Sequence, residues 1–431
     1  MNFPTFNIKN FIHKEFLDNI KKVIFGTLFG NLIVVASSPI ITRLYDPEDF
    51  GEASLIVTIS TLATLVITLR YDKAIILTES SSSGKLLSGI TLLISFLSST
   101  FLLMIVILMD IFFLKNKEFN NYFYFIPLIA FVGSIVSIMT ELNNKEKKFK
   151  LYANSIILSS GVISFFKIFL CYIFYSHSLF LIISTILGNI ATVYKLYQFK
   201  TSELFIFYKK YMKKKYIKEL LLKYKHFPVY SLPGGLITRL GQSAPIYVLG
   251  YFFSLSIVGF YSLAVSILSM PISFVGDAVK RVFIQKSSEL ANKNKFGELY
   301  ALHFKITFLL LLLGIFPFSI LFIYGEELFQ IVFSDNWAEA GKISEYLSFW
   351  LLLNFISSPS MASYTVLHMQ EYLLKFHIIN TILRVSVLII AILITNDYLL
   401  SILLFSIVGI LMYLYFIINI SIVIRKKKYA I

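Results

Sequence analysis

The stretch LLSILLFSIVGILMYLYFIINISIVI, residues 399–424, contains 26 residues and not one charged side chain. At about 1.5 Å of rise per residue, a helix of this length extends about 39 Å, which exceeds the roughly 30 Å of a bilayer's hydrocarbon core. Four basic residues, Arg425–Lys428, follow at once. An apolar run that ends in positive charge is typical of a transmembrane helix whose last residues face the cytoplasm.

The composition of the whole chain agrees with this segment. Of its 431 residues, 57% are hydrophobic and 15% are charged, whereas soluble domains are about 45–50% apolar and about 25% charged. One aqueous core cannot enclose so much apolar surface. We therefore expect an all-α polytopic membrane protein, because a helix satisfies its backbone hydrogen bonds without water. No apolar core with a small-residue cleavage site lies near the N-terminus, so no cleaved signal peptide is predicted.

Several classes of function are disfavoured by the same composition. The formal net charge of +15 comes from basic residues in short segments between apolar runs, not from a soluble binding face, so no nucleic-acid partner is predicted. The single cysteine, Cys171, forms neither an intramolecular disulfide nor a metal site. The six histidines are scattered along the chain, and neither a metal nor another cofactor is expected.

Twelve apolar runs are predicted to cross the membrane. They cover residues 23–42, 53–77, 86–110, 121–140, 152–175, 178–199, 228–250, 256–282, 302–324, 343–367, 373–394 and 399–424. If both termini are cytoplasmic, most lysines and arginines fall on the cytoplasmic side, including the ten lysines of segment 195–225, while the outside loops carry many of the acids. This is the positive-inside pattern, and an odd number of spans would place Arg425–Lys428 outside.

The two halves of the chain resemble each other. Pro39 closes the first run as Pro245 closes the seventh, and Gly51 opens the second as Gly259 opens the eighth, at an offset of 208 residues for further matches. These features predict two six-helix lobes that form a parallel internal repeat about an axis along the membrane normal. The predicted segments are a cytoplasmic N-terminal segment (1–22), an N-lobe (23–199), a basic cytoplasmic linker (200–227), a C-lobe (228–424) and a cytoplasmic tail (425–431).

Two segments carry a resemblance to a known family. SPIITRLYDPEDFG at 38–51 and LRYDKAIIL at 69–77 resemble the start of Wzx-type polysaccharide flippases, which belong to the multidrug/oligosaccharidyl-lipid/polysaccharide exporter superfamily. The resemblance implies a two-lobe, twelve-helix protein of the bacterial cytoplasmic (inner) membrane. Its implied activity is to move undecaprenyl-diphosphate-linked oligosaccharide repeat units to the outer leaflet during O-antigen (lipopolysaccharide) or capsule synthesis. After Arg-Tyr the family carries an acid and then small residues; here Asp72 keeps the acid and Lys73 departs from the pattern.

Such a cargo requires cations inside the membrane, because an isolated charge is very costly to desolvate. Arg239 lies about eleven residues into the seventh run, after the helix-breaking trio Pro233, Gly234 and Gly235. An interrupted helix exposes backbone N–H groups that attract anions, so this trio and Arg239 are predicted to bind diphosphate. The alternative is a packing kink beside an arginine that pairs with an acid or extends to the membrane surface.

Further candidate cations lie in other predicted runs. Arg384 lies near the middle of the eleventh run and Lys167 in the outer half of the fifth, where Lys167 can extend to the interface. Arg70 and Lys73, near the inner end of the second run, form either a cytoplasmic ion-pair cluster or an entry site for the headgroup.

Two further features lie in the outside segments. Arg43, in a segment with Asp46 and Asp49, is interpreted as part of an outside turn in which Asp49 caps the next helix. Trp337 is interpreted as an interfacial anchor.

Two other functions compete with flipping. A multidrug or organic-cation antiporter of the same fold would need acids near the membrane centre, but the acids within the predicted runs lie close to their ends. A membrane enzyme would need a sizeable outside loop, and segment 325–342 is too short; the sequence also lacks a Walker A motif. The expected partners are lipid-linked oligosaccharide, membrane lipids and polysaccharide-assembly proteins.

Overall fold

The computed structural model describes residues 14–113, 121–197 and 214–429, and this part of the chain is helical throughout. Residues 1–13, 114–120, 198–213 and 430–431 lie outside the described residues; they include parts of the predicted N-terminal segment, N-lobe, linker and tail. The α-helices are α1 (Lys14–Leu44), α2 (Pro47–Ile67), α3 (Tyr71–Ala74), α4 (Ser81–Phe113), α5 (Phe125–Lys145), α6 (Phe149–Ile173), α7 (Ser178–Leu196), α8 (Lys214–Lys223), α9 (Leu232–Phe252), α10 (Leu255–Leu268), α11 (Asp277–Asn292), α12 (Phe296–Phe333), α13 (Ala338–Ile356), α14 (Ser358–Val366), α15 (Gln370–Thr395) and α16 (Tyr398–Tyr429).

Ten helical segments of the described chain are long and apolar enough to span a membrane, which confirms the prediction of an all-α polytopic membrane protein. The predicted runs 228–250 and 343–367 are not among the ten, although they form α9 and the pair α13 and α14. The physical reason is their composition. α9 contains two prolines, four glycines and Arg239, and the start of α13 carries three charged residues, so their mean hydropathy is low.

The helices pack as two bundles. In the N-terminal bundle, α1 packs on α6, α6 on α7, α2 on α5 and α7, and α4 on α5. In the C-terminal bundle, α12 packs on α13, α13 on α10 and α16, α15 on α16, and α9 on α15. Helix α2 makes the main contact between bundles, because it packs against both α9 and α10.

Two glycines meet where α2 crosses α10. A Cβ atom on Gly51 would overlap the carbonyl oxygen of Leu255, and a Cβ atom on Gly259 would overlap the carbonyl oxygen of Pro47. The two contacts are reciprocal, because 51 and 259, like 47 and 255, differ by 208. Reciprocal contacts between equivalent positions are those that a two-fold relation between the bundles produces.

The same end of the interface is closed by further contacts. Trp337 is fully buried; its indole N–H donates to the carbonyl oxygen of Thr42 at 2.8 Å, and its ring lies 5.0 Å from that of Phe50 in an edge-to-face arrangement. Arg43 donates hydrogen bonds to the carbonyl oxygens of Val332 (2.9 Å) and Ile331 (3.3 Å) in the last turn of α12. We call this region, defined by Arg43, Gly51, Gly259 and Trp337, the sealed end.

These contacts correct two interpretations of the outside segments. Trp337 is a contact between the bundles rather than an interfacial anchor. Arg43 binds exposed carbonyl groups at the C-terminus of α12, where a positive charge is favoured. Asp49 lies inside α2 and accepts a hydrogen bond from Ser176, while the N-cap position is Asp46, whose side chain makes no capping hydrogen bond.

Candidate functional site

The end of α2 positions Arg70. The predicted second run continues to residue 77, but α2 ends at Ile67, and Leu69 (φ 47°) and Arg70 (φ 60°) adopt the left-handed conformation. This conformation is rare for residues other than glycine and persists where surrounding contacts enforce it. Here the backbone N–H of Arg70 donates to the Thr68 hydroxyl at 3.3 Å. The chain therefore leaves the helix axis at Leu69 and re-enters a short helix, α3.

Helix α3 holds an acid and a base that form a local network. Asp72 is buried, and one of its carboxylate oxygens accepts a hydrogen bond from Ser137 of α5 at 2.6 Å. The Lys73 ammonium lies 3.9 Å from the same oxygen and also pairs with Glu141. The positive charge of Lys73 is therefore balanced, which agrees with the ion-pair alternative for this residue.

Arg70 turns instead towards the other bundle. A Cβ atom on Gly235 of α9 would lie 3.5 Å from Nε and 3.7 Å from Cζ of the Arg70 guanidinium, so the guanidinium rests on this glycine. Nε is buried and has no hydrogen-bond partner among the described residues. No carboxylate of the described residues lies within 4 Å of this guanidinium, so Arg70 brings an unpaired positive charge to the contact between the bundles.

Arg239 lies on the same side of α9. At about 100° per residue, it is within about 40° of Gly235 and about 20° of Gly250 around the helix axis. A Cβ atom on Gly250 would lie 3.2 Å from the Leu55 side chain of α2, whereas one on Gly241 would overlap Thr381 of α15 on the opposite side. Arg239 is exposed and therefore faces the N-terminal bundle, about 6 Å along the axis from the glycine that supports Arg70.

The predicted helix break is displaced. A π-helical turn, Phe227–Ser231, leads directly into α9, so Pro233, Gly234 and Gly235 are already helical. Proline is compatible with the first turn of a helix, where its missing N–H is not needed. The trio is therefore not an interruption with free N–H groups. Gly234 faces open space and Gly235 gives Arg70 its close approach.

Arg384 lies elsewhere, in the core of the C-terminal bundle. It is 7% exposed, and its guanidinium carbon lies 3.7 Å from the ring centroids of both Trp350 and Phe405. Its Nε donates to the carbonyl oxygen of Phe405 at 3.3 Å. The structure does not bring Arg384 together with Arg70 and Arg239.

Lys167 is also apart from these two arginines. Its ammonium lies 5.8 Å from the ring centroid of Phe50, near the sealed end. Its backbone carbonyl accepts a hydrogen bond from Tyr45 at 2.7 Å. The ammonium therefore lies against an aromatic ring that packs on Trp337 at the contact between the bundles.

Sequence reasoning missed several residues of this region. Ser137 and Glu141 lie one turn apart on α5 and hold the Asp72–Lys73 pair, but nothing in their local sequence marks them. The sequence predicts Gly235 as a helix breaker, whereas in the structure it leaves room for a side chain from the other bundle. Only the alignment of α3 with α9 in space reveals that role.

Comparisons with known proteins place this arrangement in context. Residues 40–342 match the family model described as polysaccharide biosynthesis protein. The capsular polysaccharide biosynthesis protein CapF of Staphylococcus aureus is 24% identical over 369 residues, covering 83% of this chain and 87% of CapF.

Solved transporters share the fold at low identity. An inward-facing multidrug resistance transporter of the MATE family and MOP superfamily has a TM-score of 0.70 at 12% identity, covering 95% of this chain and 96% of its own. An outward-facing multidrug resistance MATE transporter has a TM-score of 0.56 at 12% identity, with 96% of each chain covered. A MOP transporter from Pyrococcus furiosus, described as having a binding pocket of reversed polarity, has a TM-score of 0.56 at 11% identity, covering 95% and 96%.

The chain therefore shares the fold of these transporters, and the family resemblance seen at 38–51 and 69–77 is confirmed. Since the family model covers more than half of the chain, this chain is a member of the polysaccharide biosynthesis protein family.

Proposed function

We propose that this protein is a flippase that translocates undecaprenyl-diphosphate-linked oligosaccharide repeat units across the bacterial cytoplasmic membrane during polysaccharide synthesis. The observation that carries the proposal is the pair formed by Arg70 and Arg239. The two arginines come from different bundles: Arg239 belongs to α9, and Arg70 lies against the same face of that helix. Neither makes a salt bridge with an acid of the described residues.

The physical problem of such a transporter is the diphosphate. The polyprenyl tail remains in lipid, but an ionised phosphate cannot enter hydrocarbon without compensation. Arginine presents several N–H donors in a planar fork and forms charge-assisted hydrogen bonds with phosphate oxygens. A diphosphate between Arg70 and Arg239 would contact both bundles at once, so the cargo itself would influence how the bundles move against each other. An inside-negative membrane potential favours outward movement of an anion by about 2.3 kcal/mol per charge per 100 mV.

The proposed topology has twelve spans in two six-helix lobes, with both termini in the cytoplasm. α9 and α13 complete the set of spans, because they pack within the C-terminal bundle beside apolar helices. The reciprocal contacts of Gly51 and Gly259 support the internal repeat at an offset of 208 residues. In this topology the sealed end faces outwards, and Arg70 lies towards the cytoplasm, where the cargo is made.

The partners follow from the same proposal. Lipid-linked oligosaccharide is the cargo, and anionic lipids are attracted by the lysines near the cytoplasmic surface. Polysaccharide-assembly proteins would receive the product outside. Because the relative CapF is described as a capsular polysaccharide biosynthesis protein, we propose that the transported repeat units become part of a capsular glycan.

The test is a complementation experiment with lipid analysis. Cells lacking the protein should accumulate undecaprenyl-diphosphate oligosaccharide on the cytoplasmic face. Arg239→Ala should leave most of that accumulation in place at normal protein level, Arg239→Lys should restore part of the transport, and Arg281→Ala, a control at an exposed arginine of α11, should behave as wild type. Near-normal glycan export by Arg239→Ala would refute the role of Arg239.

A second candidate is an antiporter for drugs or organic cations, because several solved proteins with this fold are multidrug transporters. The deletion separates the two functions. Loss of an antiporter would raise drug sensitivity and leave the surface glycan and its lipid-linked precursor unchanged.

A further inference from the structure

The core of the C-terminal bundle contains a positive charge that the flippase site does not use. Arg384 of α15 lies between the rings of Trp350 and Phe405, among the fully buried side chains of Leu388, Ile392 and Ile402. Arginine remains protonated in proteins, so this charge is permanent. No carboxylate lies within 4 Å of it among the residues that the structure describes.

The hydrogen bonds of Arg384 are incomplete as well. Of its five N–H donors, Nε binds the Phe405 carbonyl oxygen, and the buried Nη2 has no partner in the described chain. Stacking on two aromatic rings stabilises the flat faces of a guanidinium through cation–π contacts. It does not satisfy the N–H groups, which point outwards in the guanidinium plane.

Other unpartnered polar atoms belong to Trp350 itself and to residues that neighbour Arg384 or Phe405 along the helices. Asn380 lies one turn earlier on the same face of α15, and its buried Oδ1 has no partner; the same is true of Trp350 Nε1 and the Ser406 hydroxyl. A Cβ atom on Gly409 would lie 2.9 Å from Trp350 Nε1, and Gly409 follows Ser406 by about one turn of α16. Such buried polar groups normally have a hydrogen-bond partner in the protein, an ordered water or a bound ion.

We propose that a small monovalent anion, chloride in the cell, binds in the C-terminal bundle against the Nη2 edge of Arg384. One negative charge balances the buried arginine and accepts hydrogen bonds from its N–H groups and from the neighbouring indole and hydroxyl donors. The site is enclosed by α13, α15 and α16 and lined by closely packed apolar side chains, which favours an anion of atomic size over a diphosphate. It is independent of the Arg70–Arg239 pair and does not rest on the proposed cargo.

The experiment compares anions at equal ionic strength. The purified full-length protein in detergent is heated in sodium chloride and in sodium gluconate. An anion that binds the folded state raises its Tm in proportion to RT ln(1 + [L]/Kd), so Tm should be higher in chloride by at least about 2 °C. A crystal grown with bromide should show an anomalous peak in contact with the Arg384 guanidinium.

Two variants make the result specific. Asn380→Asp adds a carboxylate one turn from Arg384, an arrangement in which opposite charges on a helix attract. It should raise Tm in gluconate to the wild-type chloride value and abolish the chloride response. Arg281→Gln, the exposed control, should retain the full response.

The opposite outcomes would overturn the proposal. These are an equal Tm in both salts with only water at Arg384, bromide peaks confined to exposed cations, or an unchanged chloride response in Asn380→Asp.

Discussion

Replacing Gly51 with alanine should loosen the sealed end without weakening the helix that carries it. The new methyl group would meet the backbone carbonyl of Leu255, which cannot rotate away as a side chain can. Forcing an extra methylene into a packed contact costs about 1–3 kcal/mol, and about 2 kcal/mol corresponds to roughly 30-fold in the equilibrium between closed and separated bundles. Alanine also favours the helix by about 1 kcal/mol over glycine in both states, so overall unfolding should change little.

The fluorescence of Trp337 reports the separation of the bundles at the sealed end directly. The chain contains two tryptophans, and a Trp350→Phe background leaves the fully buried Trp337 as the only indole. In that background Gly51→Ala should increase quenching of Trp337 by acrylamide, and Gly259→Ala should do so by a similar amount. Gly161→Ala is the matched control, because no atom lies within 4 Å of the added methyl group. Equal quenching in Gly51→Ala and Gly161→Ala would refute the argument that backbone contact keeps this end closed.

Three further outcomes are expected. Arg43→Gln loses the charge that binds the last carbonyls of α12 and should also raise Trp337 quenching; an unchanged signal would show that the arginine does not contribute to closure. Ser137→Ala removes a hydrogen bond to the buried Asp72 carboxylate, worth about 1.5–3 kcal/mol, and should lower Tm, whereas a control at Ser38, which binds only its own helix, should not. The Lys223 ammonium donates a hydrogen bond to Glu79 and lowers the pKa of this carboxyl. The pair therefore persists at neutral pH and is lost as the pH falls through the lowered pKa. In Lys223→Gln, an NMR titration should show the pKa of Glu79 rising to its ordinary range.

The sequence predicted those parts of the fold that depend on runs of one chemical character. The apolar segments and their bounding charges located the helices, since a span needs length and hydropathy more than any particular partner. It extended the second run to residue 77, because Leu69 and Ile75 are as apolar as the helix before them. The left-handed turn at Leu69 and Arg70 depends on contacts with Thr68 and on the packing of α3, which no pattern records.

The candidate site was predictable only in part. Arg239 was found because an arginine far inside an apolar run is costly and therefore conspicuous. The sequence predicts Arg384 for the same reason, but the structure encloses this arginine between two aromatic rings. The sequence could not show this, because hydropathy gives the depth of a residue in the membrane and not the side of the helix that it faces. The contact between Arg70 and Gly235 joins positions that are 165 residues apart in the sequence, and the hydrogen bond from Trp337 to Thr42 joins positions that are still further apart. Such pairings arise from the way whole helices pack.

The paired glycines at the crossing of α2 and α10 also restrict how this protein can evolve. Each half of the molecule supplies one residue without a side chain, and each admits the peptide backbone of the other half. If the halves descend from a duplicated ancestor, drift can alter the rest of either copy. At this crossing, however, a larger residue in one copy cannot be offset by a smaller residue in the other, because no residue is smaller than glycine. Positions 51 and 259 should therefore both remain glycine in sequences in which α2 and α10 cross in this way, even where little other sequence similarity remains between the halves.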